Sequence, residues 1–90
     1  MRIAVLWDGD GQARLMLESN GHDCVGFELS RRKYEHCLQV GSGRCCNMDP
    51  AAASLESFDG VWVNAATARR ETWARDIPNR PLWINGEEIK

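Results

Sequence analysis

The chain has 90 residues, of which 43% are hydrophobic and 27% charged, and its formal net charge is −2. That length bounds it to one small domain with a thin core, and the charge balance excludes a global electrostatic pull toward nucleic acid or an anionic membrane. No apolar run approaches the roughly 18 to 20 residues of a membrane span, and no basic lead-in with a cleavage site opens the chain. No membrane partner and a cytoplasmic location are therefore the expectation.

The first element is an apolar run, Ile3 to Trp7, as expected for a parallel strand covered on both faces. It stops at Asp8-Gly9-Asp10-Gly11, where two glycines permit positive φ and a close backbone approach to a ligand. A helical pattern follows from Gln12, with Leu15, Leu17 and less regularly Met16 as apolar anchors, and Asn20-Gly21 ends it. Cys24 to Phe27 make a second strand, with Glu28 at its carboxyl end. This βαβ unit carries its acidic residue about 20 residues past the turn, where a carboxylate can meet ribose hydroxyls.

Ser30 is a candidate N-cap for a helix over RRKYEHCLQV, with Tyr34, Cys37, Leu38 and Val40 as its inner face and Gly41-Ser42-Gly43 as its stop. Arg44 to Met48 read as a third strand, closed by Asp49-Pro50, and a short helix is expected over AAASLES. Asp49 is also placed to cap a helix that begins with proline. Phe58 to Val63 form a fourth strand, and Leu82-Trp83-Ile84 a fifth, after which Asn85-Gly86 turns the chain. Between them the helical pattern is weak, with Thr72, Trp73 and Ala74 as its core. Strands alternating with helices imply an α/β fold, a small Rossmann-like, doubly wound parallel sheet of about five strands flanked by helices. Asp8, Glu28, Asp49 and Asn64 then gather at one sheet edge, where such folds bind ligands.

The turn departs from the dinucleotide pattern G-x-G-x-x-G, because the residue three past Gly11 is Arg14 and two aspartates flank the glycines. Paired carboxylates repel a pyrophosphate and suit a ligand with a cationic and hydroxyl-rich end. S-adenosylmethionine has a sulfonium, an ammonium and a ribose. The run LWDGDGQARLMLESNGHDCVGFELS resembles the first two motifs of class I S-adenosylmethionine-dependent methyltransferases. It looks most like the N-terminal cofactor half of DNA cytosine-5 methyltransferases.

That resemblance spans about two-thirds of the chain, Arg2 to Val63. It implies that Asp8, Gly9, Asp10, Gly11, Glu28, Leu29, Asp49 and Asn64 contact the nucleoside cofactor. Asp49 stands where the family's aspartate meets the adenine amino group. The catalytic loop departs from the family. Where the family has Pro-Pro-Cys-Gln, this chain has Asn64-Ala65-Ala66-Thr67-Ala68-Arg69, and Thr67, counted from Trp62-Val63, falls at the nucleophile's position. A hydroxyl without an activating base does not attack cytosine C6. The expectation is a truncated, methyltransferase-like domain that binds S-adenosylmethionine without catalysis on its own, as a sensor or decoy, in preference to a split enzyme that obtains its missing parts from a partner chain. The alternative is an interaction module, such as a small viral or mobile-element protein that uses the fold for association.

Arg69, Arg70 and Arg75 crowd one segment around Trp73 and are candidates for nucleic-acid contact, although interleaved Glu71 and Asp76 also suit a solvated face with local ion pairs. Trp7, Trp62, Trp73 and Trp83 point to core or interface positions, and an exposed edge at the fifth strand invites a dimer partner. The four cysteines follow no paired zinc spacing, so reduced core thiols and no metal site are expected.

Overall fold

The computed structural model describes residues 1–89. Its elements are β1 (Arg2–Leu6), α1 (Gln12–Ser19), β2 (Asp23–Glu28), α2 (Arg31–Cys37), β3 (Cys45–Asn47), β4 (Gly60–Val63), α3 (Ala68–Arg75), β5 (Leu82–Ile84) and β6 (Glu87–Glu88), with a 3-10 turn at Pro50–Ala52. They build a mixed α/β fold around one six-stranded sheet of order β3-β2-β1-β4-β5-β6. The first five strands in that order are parallel to their neighbours, and β6 alone pairs antiparallel.

Alternation along β1 divides the core between the two faces of the sheet. Ala4 and Leu6 join Phe27, Phe58, Val61, Val63, Ala74, Ile77, Leu82 and Ile84 on one face, which α3 and the loop before β4 cover. Ile3 and Val5 join Leu17 of α1 and Cys24 on the other, a much smaller cluster. Each Val, Leu, Ile or Phe side chain among them contributes about 1.5–3 kcal/mol when fully withdrawn from water. The asymmetry follows from α1, where the expected anchors Leu15 and Met16 stay 37% and 44% exposed. Leu17 and Arg14 are the buried residues of that helix.

Several boundaries differ from the sequence reading. α2 stops at Cys37, and the chain continues to Val40 through tighter turns, leaving Leu38 exposed and Tyr34 and Val40 half-buried. The helix expected over AAASLES shrinks to the Pro50–Ala52 turn, capped by the Asp49 side chain on the Ala51 amide. β3 is a three-residue edge strand, so Cys45, expected to be buried, is half-exposed. α3 forms despite its weak pattern, because Thr67 caps it through the Arg70 amide and Ala74 and Trp73 reach the core. The fifth strand is not an edge. Asn85 and Gly86 both take positive φ, the signature of a two-residue hairpin turn, and fold β6 against β5.

Candidate functional site

All parallel strands end on one side, and the chain runs outward from β1 through β2 to β3 before it crosses back to lay β4 on the other side of β1. Open α/β sheets bind ligands in the crevice such a reversal leaves beyond the strand ends. A cleft of about 530 Å³ lies there, with walls from the turn after β1, the end of β2, the start of α2, the loop after β4 and Arg70 of α3.

Its floor is held by Glu28. This carboxylate is 4% exposed. Its Oε1 accepts from the Gly9 amide at 2.9 Å and its Oε2 from the Ser30 amide at 2.8 Å. One side chain thus ties the glycine turn to the N-terminus of α2. Each oxygen keeps a further lone pair for a hydroxyl donor. Gly9 takes φ of 62°, which a side chain would strain.

Asp8 lines the cleft, as its sequence position suggested, and also holds a buried ion pair. It is 1% exposed, and its Oδ2 accepts from Arg14 Nε at 2.8 Å. Arg14 is itself fully buried, with Nη1 on the Val40 carbonyl at 2.9 Å and Nη2 on the Cys37 carbonyl at 2.7 Å. Burial works against the guanidinium charge, but the hydrogen bond and charge of Asp8, with Glu18 and Cys45 beyond, outweigh it and raise its pKa. The close approach of Asp8 also explains Gly26, since a Cβ there would collide with the Asp8 carboxylate. Arg14 neutralises the Asp8 charge, so repulsion of a pyrophosphate falls mainly to Asp10. Asp10 is exposed, lines the cleft, and accepts from the Gln12 amide at 3.1 Å.

Asn64 lines the cleft as expected, donating from Nδ2 to the Trp7 carbonyl and accepting at Oδ1 from Trp62 Nε1. Leu29 lines it too, 56% exposed. Gly11 does not. It is buried under the Val40 side chain, where its φ of 79° starts α1. Asp49 is absent from the lining and caps the Pro50 turn. Thr67 accepts from the Arg70 amide as the cap of α3 and is likewise outside the lining. Of the three arginines considered for nucleic acid, Arg70 alone reaches the cleft. Arg75 pairs with Glu71 at 2.9 Å, the local ion pair its interleaving suggested, and Arg69 is exposed on α3.

Sequence reasoning missed two features. Trp7 was read as the end of an apolar strand, yet it lines the cleft with φ of 55°. Such a conformation costs a bulky residue about 1–3 kcal/mol. It is held by the Asn64 hydrogen bond, an edge-on contact with Trp73 at 5.5 Å and Arg70 stacked 4.6 Å over its ring. The second is a cluster of Asp8, Cys37 and Cys45, whose ligand-type atoms all lie within 4.8 Å of one another. Burial, with the Asp8 charge next, pushes the Cys37 thiol up to about 11, and burial raises Cys45 further. No local spacing announces this group, because its members come from three separate elements.

No family model matches this chain, and no curated protein does.

Proposed function

We propose that the cleft binds a nucleoside cofactor, S-adenosylmethionine, in a Rossmann-like, methyltransferase-like domain that does not catalyse methyl transfer alone. The observation that carries this reading is Glu28, held at the end of β2 by the Gly9 and Ser30 amides within one cleft at the strand ends. A carboxylate fixed there accepts from the two hydroxyls of a ribose without having to order itself on binding. The cleft volume lies in the range that encloses a ligand of this size. Trp7, Leu29 and Ala66 offer apolar surface, Asp10 a carboxylate for the ammonium or sulfonium, and Lys33 and Arg70 cations for the carboxylate. The sequence resemblance and the strand order, with β1 and β4 adjacent at its centre, agree with it. The departure at Thr67, engaged as the cap of α3, agrees with the lack of turnover.

Calorimetric titration of the purified domain with S-adenosylmethionine tests this. Binding in the micromolar range, about −8 kcal/mol, is expected, and its loss in Glu28→Gln is expected while Asp49→Ala leaves it unchanged. Absence of heat at millimolar ligand overturns the reading.

A second reading, association with another chain, is favoured by one observation. Trp62 and Trp83 are paired neighbours on β4 and β5, share a sheet face, and both remain half-exposed. A dimer or a captured partner would cover them. Sedimentation of the wild type against Trp83→Ser measures it, with a drop in molar mass in the variant as the expected result.

A further inference from the structure

We propose that Asp8, Cys37 and Cys45 form a binding site for one soft divalent cation of the zinc type, between the turn after β1, the end of α2 and the edge strand β3. Their carboxylate and thiol ligand atoms lie within 4.8 Å of one another. Two sulfurs on a single tetrahedral zinc, at Zn–S of about 2.3 Å, are separated by roughly 3.8 Å, so little movement is needed to close the set around an ion.

The independent sign of a missing ligand is on Asp8. This carboxylate is 1% exposed, and only Oδ2 is satisfied, by Arg14. Oδ1 is buried with no hydrogen-bond partner among the described residues. An orphaned oxygen on a buried charged group is costly, and a metal ion is the kind of partner that removes the cost. The Cys37 thiol donates to the Gly9 carbonyl at 2.7 Å, a hydrogen bond that metal binding to the thiolate would replace.

Charge and softness then select the ion. Asp8 with two thiolates carries three negative charges, a divalent ion leaves one, and the buried Arg14 guanidinium beside Asp8 balances it. Two sulfur ligands favour zinc or cadmium over magnesium or calcium, which take oxygen. Binding forms two metal–sulfur bonds and sends the two thiol protons to solvent. Cys37 is fully buried, but Cys45 is half-exposed on the edge of the sheet and gives the ion its way in. Cys46, next along β3, points to the opposite face of the strand and is exposed. Cys24 contributes to the core cluster under α1.

The test is titration of the reduced protein with cadmium, reading the ultraviolet thiolate-to-cadmium charge-transfer band, in wild type, Cys45→Ser and Cys46→Ser. One cadmium per chain is expected in wild type and in Cys46→Ser, with affinity in Cys45→Ser lower by at least about tenfold. Zinc is expected to raise the melting temperature of the wild type while magnesium leaves it unchanged. This second measurement stands even if a cysteine variant folds poorly. The proposal fails if wild type shows no charge-transfer band, if Cys45→Ser keeps the full band, if Cys46→Ser loses it, or if zinc leaves the melting temperature where it was.

Discussion

The two halves of the sheet end their strands in different ways. On the β2 side the strand ends carry carboxylates, Asp8 and Glu28, withdrawn from water and fixed by a guanidinium or by backbone amides. On the β4–β5 side they carry amides. Asn64 bridges Trp7 and Trp62, and Asn85 exchanges two hydrogen bonds with the backbone of Ala65. The first set stores oriented charge beside a cleft. The second ties loops to one another and leaves no ionised group at the strand ends. A polar residue at a strand terminus is thus ambiguous until its partners are known: Asp49, at the end of β3, proves to be a cap like the amides and unlike Glu28.

The difference should appear most strongly in Arg14. Arg14→Met removes the partner of a fully buried carboxylate and is expected to destabilise the domain by about 3–5 kcal/mol in urea unfolding. A loss below about 1 kcal/mol would mean that Asp8 is not held as the geometry indicates. On the amide side the corresponding loss is smaller. Thr67→Ala removes the cap of α3 and is expected to lower stability by about 1 kcal/mol, with S-adenosylmethionine binding unchanged in the same calorimetric assay. A loss of binding there would place Thr67 in the site after all.

The smallest effect concerns the thin face under α1 and shows only in alkaline solution. Burial, then the charges of Glu18 and Asp23, pushes the Cys24 thiol up from 9.0 to about 11. The folded state therefore holds this proton more tightly than the unfolded chain does. The resulting stability is fully present below pH 9 and is lost as pH rises from 9 through 11. Melting temperatures of wild type and Cys24→Ala across that range should show a shallower alkaline decline in the variant. Parallel declines would assign the alkaline sensitivity to other groups.

The legible parts of this chain are those written in local pattern. The apolar run of β1, the Asn20-Gly21 stop, the Ser30 cap and the Leu82–Ile84 strand all come from neighbours within a few residues, and they recur where the pattern put them. The Asn85-Gly86 turn was equally readable, but its consequence, a sixth strand of two glutamates and a covered β5, needed the partner strand to exist. The helix expected over AAASLES failed because only Pro50–Ala52 obtained a cap and a turn.

What the sequence by itself determined, then, is the α/β alternation and the acidic residue that ends β2. These follow from periodicity and from the residue chemistry of turns, both of which act over one or two turns of chain. The tertiary structure decided which charges leave water. Arg14 looked like the residue that breaks a glycine fingerprint and became the buried clamp joining Asp8 to the carbonyls of Cys37 and Val40. Asp8, Cys37 and Cys45 became one cluster, and Trp7 a strained wall of the cleft. The physical reason is shared: the free energy of a buried ion pair or ligand set depends on distances between segments far apart in sequence, and no local spacing encodes them.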